Sequence, residues 1–529
     1  MDCHVYEALS GLAFILAVWL FTWAHRGSRH ALPLPPGPPS EFLLGHARVI
    51  PKENASAVYA KWSREYNSDI IHVRSLGRST VVLNSAEAAR DILDKKGANF
   101  SDRPRFTLLE IMGWGKTVTF LPFGKRWQMH RKRLQTSFSN TNVRQWHGLQ
   151  TAEARKTVEN MIKKPDTWET SLRRFAVAVV LQVSYGTEVL EDDDPYIQIV
   201  NDAMYATGNG GVPANSIVDL VPLVRYLPDW IVRDWSLRFA RNWRWAIQKL
   251  HDVPFTAAQA EHCNGHHSEN KSLAHQLLRE YEDKEAHGQQ KGWSLDDIKG
   301  AAGAVLIAGA DTTWATCSIF ILNMVLHPMI QKKAQKELDG VVGLDRLPEL
   351  SDRPFLPHIE HIVQEIYRWS PLAPLGIPHK SLQDDVYQGM FIPKGIQCSM
   401  IRQCGNWLIT ARTVVYANAH AIAHDERVYR DPHKFNPDRY EAGEPFPVGN
   451  FGFGRRICVG RFLADNSVWI MVATMLSTLQ FGKKVDLDGA PIEPRVQFTN
   501  GGTCHPEHFG CVIKPRNSNS ATLVGVSSE

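Results

Sequence analysis

The sequence predicts a mainly α-helical protein with a smaller β part, carried on a single N-terminal transmembrane anchor. Most of the chain spaces its apolar residues at the period of about 3.6 that one face of a helix requires. Two segments, DIIHVRSL at residues 69–76 and RSTVVLN at 78–84, are rich in β-branched residues and indicate a hairpin. With 529 residues, of which 43% are hydrophobic and 22% charged, the chain can bury one large core or two medium ones.

The membrane anchor is predicted within residues 1–30, where residues 8–24 are uncharged and apolar. A secretory signal is the competing interpretation. It is disfavoured because acidic residues precede the segment, basic residues follow it, and no small-residue cleavage site is present. The basic residues on the far side place the rest of the chain in the cytosol. The eight cysteines are scattered without paired spacing, which fits reduced thiols in that compartment.

The rest of the chain is predicted to form one domain. Residues 31–40 are proline-dense and favour an extended, semi-rigid hinge between the anchor and the body. Residues 41–515 then form the folded domain, and the polar residues 516–529 are predicted to be a disordered tail. The net charge of +4 is spread along the chain without a Lys/Arg block, so nucleic acid is not the expected partner.

One predicted helix is unusually long. Ser294 and Asp297 form a capping-box pattern, and the apolar periodicity then continues over residues 295–327. A second membrane span is the alternative, but Asp311 at its centre would cost about 2.5–3.5 kcal/mol on insertion scales. The sequence therefore favours a helix that crosses the interior of the domain. The small residues around Gly309 would let a flat group approach the helix backbone.

The segment FGFGRRICVG, residues 451–460, places Cys458 among glycines and arginines. The positions Phe451, Gly454, Arg456, Cys458 and Gly460 resemble the haem-ligand loop F-x-x-G-x-R-x-C-x-G of the cytochrome P450 family. A thiolate in such a loop can receive backbone N–H groups, and the helix that follows favours an anion at its start. The resemblance implies that Cys458 is the iron ligand of haem b and that the chain adopts the cytochrome P450 fold.

Other motifs extend this resemblance over residues 33 to about 515. EIYR supplies Glu365 and Arg368, and FNPDRY supplies Arg439. These three are similar to the family's Glu-Arg-Arg lock, which shapes the segment before the cysteine loop and performs no chemistry. Taken alone, each charge could equally be solvated decoration on a helix surface.

The resemblance also implies a set of haem contacts. Trp127 and Arg131, in GKRWQMHRKR, have the W-x-x-x-R spacing of the family's propionate-binding helix. His379 in GIPHK occupies a position where the family often places another propionate partner, and Arg456 is expected to pair with a propionate while Phe451 packs by the sulfur. A core aromatic residue or a solvated charge is the alternative for each position.

The long helix contains AGADTT at residues 308–313, which resembles the family's oxygen-activating motif. By this resemblance, Thr312 holds water at the reaction site and Asp311 delivers protons from solvent. A core helix whose hydroxyls are satisfied internally is the alternative for this motif considered alone.

The implied activity is insertion of one oxygen atom from O2 into a lipophilic substrate with NADPH-derived electrons. The chain resembles fungal microsomal members that oxidise secondary metabolites or xenobiotics of aromatic or terpenoid type. The implied partners are NADPH–cytochrome P450 reductase, with cytochrome b5 as a further donor, and membrane lipid. The implied location is the endoplasmic reticulum membrane, single-pass, with the catalytic domain facing the cytosol. A haem-thiolate isomerase that rearranges peroxides and a non-catalytic haem protein are the alternatives.

One segment departs from the family pattern. FIPKG normally continues directly into a strand such as TVVYANAHAIAHD, but residues 396–412 intervene. The insert contains two cysteines and Trp407, which is unusual for a solvent loop. We hypothesise a retained intron or a mispredicted exon, because Gly395 and Ile396 can be encoded with a donor-like GT, and WLITA with branch-like and acceptor-like elements.

Overall fold

The computed structural model describes residues 32–42, 44–51, 53–75, 78–211, 216–264, 270–287, 292–394 and 413–525. The first part of the described chain contains α1 (Ala55–Glu65), β1 (Ile70–Ser75), β2 (Arg78–Leu83), α2 (Ala86–Ala89) with the π-helical turn Arg90–Lys95, α3 (Thr107–Met112), α4 (Lys125–Ser137), α5 (His147–Lys163), α6 (Trp168–Tyr185), α7 (Pro195–Asn209), α8 (Ile217–Leu220), α9 (Asp229–Val232), α10 (Trp235–Asn242), α11 (Arg244–Cys263) and α12 (Leu273–Ala286). The second part contains α13 (Leu295–Leu326), α14 (Pro328–Val341), α15 (Pro357–Trp369), β3 (His379–Lys380), β4 (Asp385–Tyr387), β5 (Met390–Ile392), β6 (Val414–Ala417), α16 (Ala419–Ala423), α17 (Arg461–Thr478), β7 (Leu479–Gly482), β8 (Val512–Pro515) and α18 (Ser518–Leu523). The fold is mainly helical with small sheets.

The long helix α13 crosses the core, as the sequence predicted. Ser294 caps it: its hydroxyl accepts from the N–H of Asp297 at 3.1 Å, and the Asp297 carboxylate accepts from the N–H of Ser294 at 3.3 Å. Within the described ranges it is the one helix long and apolar enough to span a membrane, but 67% of that apolar window is buried inside the protein. It packs mainly against α6, and also against α11 and α17.

Gly309 has a different role from the one expected. A Cβ at Gly309 would lie 2.4 Å from Cγ1 of Val180 in α6. The missing side chain therefore allows α13 and α6 to pack closely. The face of α13 that is open instead carries Ala308, which is exposed.

The predicted hairpin is confirmed as β1 and β2, which pair antiparallel with Ile70 opposite Leu83. β6 joins β2 in parallel and β3 joins β6 antiparallel, so the strand order is β1-β2-β6-β3. Two separate two-stranded sheets are formed by β4 with β5 and by β7 with β8. The four-stranded sheet places His379 of β3 beside the segment that precedes α3.

Two boundary predictions differ from the structure. The proline-rich segment is extended, but it docks on the body: the N–H of His72 donates to the carbonyl of Pro36 at 2.9 Å, and the N–H of Phe391 donates to that of Pro33 at 2.7 Å. The tail predicted to be disordered forms α18, because Asn517 caps it and the apolar residue Val524 is buried against the core. The predicted anchor at residues 1–30 and the insert at 396–412 lie outside the described residues.

Candidate active site

The cysteine loop is closed by its own backbone. The N–H of Cys458 donates to the carbonyl of Phe451 at 2.8 Å. Gly454 has φ +61°, and a Cβ there would lie 2.0 Å from the carbonyl oxygen of Leu93, so a larger residue would not fit. The ring of Phe451 packs edge-on against Tyr367 with centroids 5.4 Å apart. The loop therefore enters α17 with a closely packed backbone.

The Cys458 side chain is exposed to solvent, although protein atoms crowd around its sulfur closely enough to desolvate it. Burial raises the pKa of this thiol, whereas the N–H groups of Gly460 and Arg461 and the charge of Arg131 pull the pKa down. A metal ion on the sulfur would tip this balance to the thiolate, because a coordinating thiol loses its proton. Gly460 directly precedes α17, the helix that follows the thiol.

Arg131 has donors that nothing in the described protein accepts. It lies on α4 and is 8% exposed, and its Nε and Nη2 atoms are buried without a hydrogen-bond partner. Burial lowers the pKa of Arg131 to about 10, and the nearby Cys458 acts in the opposite direction. A buried guanidinium with unmatched donors indicates an anionic group that completes the site.

Arg456 of the cysteine loop lies against Trp127, which is one turn before Arg131 on α4. The guanidinium of Arg456 is 4.2 Å from the centroid of the Trp127 ring. Arg456 donates to the carbonyls of Ser101 at 2.8 Å and Leu121 at 3.0 Å, and burial lowers its pKa to about 9. These bonds hold Arg456 at the site through backbone carbonyls, and its expected pairing with a propionate stays a prediction.

The structure adds a cation that the sequence reasoning missed. Arg103 is 5% exposed, and burial together with Arg456 and Arg131 lowers its pKa well below the usual range. Asp102 is the acid that acts on Arg103, but its carboxylate also pairs with Lys380 at 2.8 Å and so offsets only part of the positive charge. The site therefore holds more positive than negative charge, which suits a ligand that carries carboxylates. A lone arginine before a proline gives no chemical signal in the sequence.

His379 is buried next to the same cations. Its Nδ1 lies 2.8 Å from the carbonyl of Phe100, so the Nδ1 proton is donated there. Burial lowers the pKa of His379 to about 3, and Arg103 and Arg456 contribute. A neutral imidazole in this tautomer can bind a carboxylate only after Nε2 gains a proton, which the arrival of a negative charge would favour.

Asp311 and Thr312 are neighbours on α13 but face different surroundings, about 100° apart around the helix. Thr312 donates to the carbonyl of Ala308 at 2.7 Å on the open face. Asp311 accepts from the hydroxyl of Thr503 at 2.8 Å. Burial raises the pKa of Asp311, while Thr503, His505 and Arg173 pull the pKa down. The helix thus carries a hydroxyl at the open face and a buried carboxyl behind it.

The predicted lock is assembled away from this open face. Glu365 pairs with Arg368 at 2.7 Å and with Arg439 at 3.1 Å, and all three side chains are almost fully buried. Tyr440 also donates to Glu365 at 2.9 Å, and Glu444 accepts from Arg439 at 2.6 Å. These contacts join α15 to the segment before the cysteine loop.

Comparison with known proteins identifies the family. Residues 35–501 match the family model described as cytochrome P450. A cytochrome P450 monooxygenase of Armillaria gallica is 33% identical over 527 residues, covering 98% of this chain and 99% of the relative. The tryptamine 4-monooxygenase of Psilocybe cyanescens is 33% identical, covering 91% and 93%. A zebra fish cytochrome P450 structure matches with a TM-score of 0.66 at 24% identity, covering 87% of this chain and all of that one, which supports the fold.

The matched family uses haem whose iron is bound by a cysteine thiolate. The residues of the site fit that group: the Cys458 thiol can bind the iron, and Arg131 has unmatched donors for the propionates. The excess of buried cations around Arg103 and Arg456 fits the same two carboxylates. The chain therefore belongs to the cytochrome P450 family and is a haem monooxygenase.

Proposed function

We propose that this protein is a membrane-bound monooxygenase that inserts one oxygen atom from O2 into a lipophilic small molecule with NADPH-derived electrons. The observation that carries the proposal is the pairing of an available thiol, Cys458, with the unmatched buried donors of Arg131. Haem bound there supplies the redox chemistry that activates O2. The protein supplies the thiolate ligand, the anion contacts, a proton route and substrate placement.

The site residues have separate roles in this proposal. Cys458 holds the iron, and Arg131, Trp127, Arg456 and His379 surround the propionates. Arg131 has donors without an acceptor, and these are available to a carboxylate. Arg456, in contrast, already donates to a backbone carbonyl.

The proton route is assigned to α13. The Thr312 hydroxyl holds water at the open face, using the same oxygen that donates to Ala308. Asp311 can take up a proton on the carboxyl oxygen that does not accept from Thr503, and burial favours this because it raises the pKa of the carboxyl. Arg173 and His505 lie near enough to adjust how readily that proton leaves.

Membrane attachment is supported by an apolar surface between α8 and α11. Tyr226 and Trp230 are 77% and 76% exposed, and the surrounding apolar side chains are also exposed, namely Leu223, Leu227, Ile231 and Trp235. Large exposed apolar patches are typical of interaction with a membrane or partner. We assign this surface to the lipid bilayer, with residues 1–30 as the anchor in the endoplasmic reticulum membrane and the catalytic domain in the cytosol.

The electron donor in this proposal is NADPH–cytochrome P450 reductase, with cytochrome b5 as a further donor. Lys125 and Lys132 on α4 are exposed and could contact an acidic partner. Two neighbouring arginines are already engaged: Arg126 pairs with Asp297 at 2.5 Å and Arg133 with Glu280 at 2.8 Å.

The proposed substrate class is an aromatic or terpenoid secondary metabolite or xenobiotic. One relative is named tryptamine 4-monooxygenase, and the indole ring of tryptamine supports the aromatic part of this class. The peroxide-rearranging alternative has no use for a proton-delivering pair, so Asp311 and Thr312 argue for the monooxygenase.

Reconstitution tests the proposal. The haem-loaded full chain, a fungal NADPH–cytochrome P450 reductase and lipid vesicles are incubated with a panel of lipophilic aromatic and terpenoid compounds under 18O2. We expect NADPH-dependent products that carry one labelled atom. Products that form from organic hydroperoxides but never from O2 and NADPH would contradict the monooxygenase proposal and support the rearranging alternative.

A further inference from the structure

A cluster of side chains of metal-ligating type lies outside the active site, where α15 meets the segment that carries Arg439. His358 and His361 are one turn apart on α15, and Glu441 follows two residues after Arg439. Ligand-capable atoms of these three side chains lie within 4.8 Å of one another. Oε1 of Glu441 is 3.5 Å from Nδ1 of His358 and 4.0 Å from Nδ1 of His361.

The histidines in this cluster lack hydrogen-bond partners. The side chain of His358 is 3% exposed, and neither of its ring nitrogens has a partner in the described structure. Nδ1 of His361 is also buried without a partner. A buried imidazole nitrogen that bonds to nothing is costly, so these atoms indicate a group that completes the cluster. Two of the three unpartnered nitrogens are the Nδ1 atoms of His358 and His361, and both lie near Glu441. A group that completes the cluster would therefore lie between these nitrogens and the Glu441 carboxylate.

The geometry fits a small divalent cation. Two ligands of a tetrahedral zinc ion, each about 2.0–2.1 Å from the metal, lie about 3.3 Å apart. The separations from Glu441 are close to this value before any ion is bound. Oδ1 of Asp438, 3.7 Å from Nδ1 of His358, can supply a fourth ligand. Two imidazoles with carboxylates form a donor set that suits zinc better than the oxygen-seeking magnesium or calcium ions.

We propose that His358, His361 and Glu441 form a binding site for a divalent transition metal ion of the zinc class. The ion cross-links α15 to the segment that holds Arg439, next to the Glu365–Arg368–Arg439 lock. Ligand binding to the native state stabilises it by mass action, so the ion stabilises the folded protein. The site is separate from the haem site and does not depend on the proposed monooxygenase reaction.

Lys333 gives the proposal a distinctive test. Its ammonium group lies 2.7 Å from Asp438 and 2.8 Å from Glu441, so it occupies the carboxylates that the ion would use. The Lys333 side chain is 44% exposed and can move into solvent. A metal ion must therefore displace this ammonium group, and removal of its charge should strengthen metal binding.

The experiment uses the haem-loaded full chain without a polyhistidine tag, stripped with a chelator and titrated with Zn2+. Affinity is measured by competition with a chromophoric chelator, and stability by thermal unfolding. We expect one site that weakens at least about tenfold in His361→Gln and Glu441→Gln and tightens several-fold in Lys333→Gln. Zn2+ should raise the Tm of the wild type and Lys333→Gln but not that of His361→Gln.

His508→Gln is the matched control, since His508 is 76% exposed and pairs with Glu169 outside the cluster. It should bind Zn2+ like the wild type. Equal affinity in the wild type, His361→Gln and Glu441→Gln would overturn the proposal, because zinc would then be bound by others of the chain's 22 histidines. Weaker binding in Lys333→Gln would also overturn it. If His361→Gln does not fold, the comparison of Lys333→Gln with the wild type still decides.

Discussion

Thr503 donates a 2.8 Å hydrogen bond to Oδ2 of Asp311, and this bond joins the turn at residues 499–505 to the centre of α13. The same neighbourhood contains Arg173, whose guanidinium lies 3.8 Å from the centroid of the Trp314 ring. The ring of His505 packs edge-on against Trp314 at 4.8 Å. The carboxyl predicted to deliver protons is therefore held by Thr503 and lies near the charged groups of Arg173 and His505.

Asp311→Asn should change the pH dependence of stability. Burial raises the pKa of Asp311 in the folded protein above its unfolded value near 3.8. The native state of the wild type therefore binds the Asp311 proton more tightly than the unfolded state does. This binding stabilises the folded protein at low pH, and the stabilisation is lost as pH rises through the folded pKa. The asparagine variant has no such loss, so its Tm relative to the wild type should rise from about pH 4 to pH 8. A Tm difference that stays constant or falls over this range would contradict the raised pKa.

Thr312→Ala should uncouple electron consumption from product formation while haem and substrate binding persist. The Thr312 hydroxyl is on the open face, where it can hold water for proton transfer. With any substrate that the wild type oxidises, product per NADPH should fall several-fold and peroxide release should rise. Thr316→Ala is the control, because Thr316 donates to the carbonyl of Thr312 at 2.8 Å one turn further along. Equal coupling in both variants would show that the Thr312 hydroxyl has no special role.

Arg131→Met should weaken haem binding without destabilising the protein that lacks haem. Its Nε and Nη2 atoms have no acceptor until an anion arrives, and a charged hydrogen bond contributes about 1.5–3 kcal/mol. Haem transfer to apomyoglobin should therefore show about tenfold or greater loss of affinity. Chemical unfolding of the apoprotein should show equal or higher stability, because an unpaired buried charge has been removed. Unchanged haem retention would refute the propionate role.

Deletion of residues 396–412 should raise the yield of haem-loaded protein. The N–H of Thr413 donates to the carbonyl of Lys394 at 3.3 Å, and the Thr413 carbonyl accepts from Ser381 at 3.1 Å. With the insert removed, Gly395 alone joins Lys394 to Thr413, and the existing bond becomes that of a three-residue turn. Sequencing of mature transcripts tests the intron hypothesis directly. Transcripts that uniformly encode 396–412 would refute it, and a lower yield for the deletion variant would contradict the predicted gain in haem-loaded protein.

The fold and the site were predictable to different degrees. The helix α13, its cap and the β1–β2 hairpin could be predicted because local periodicity and capping chemistry determine them. Cys458 could be identified because Phe451, Gly454, Arg456, Cys458 and Gly460 resemble the family's haem-ligand loop. The contact of Gly309 with Val180 could not be predicted, since it depends on a helix more than a hundred residues away.

The electrostatics of the site could not be predicted from sequence. Arg103 joins the buried cations through tertiary folding alone, and its neighbours in sequence carry no chemical signal. Likewise, His358 and His361 become candidate ligands only when the chain returns with Glu441 after eighty residues. The disorder predicted for the tail was wrong over α18, because capping by Asn517 and burial of Val524 outweigh its polar composition.

The central claim is that Cys458 ligates haem iron as a thiolate. The most direct test is the carbon monoxide difference spectrum of the reduced protein, recorded for the wild type, Cys458→Ala and the control Cys504→Ala, whose thiol lies in the turn near Asp311. We predict the red-shifted band of thiolate-ligated haem in the wild type and in Cys504→Ala, and its loss in Cys458→Ala. Folded, haem-loaded wild type without that band, or Cys458→Ala that retains it, would contradict the account.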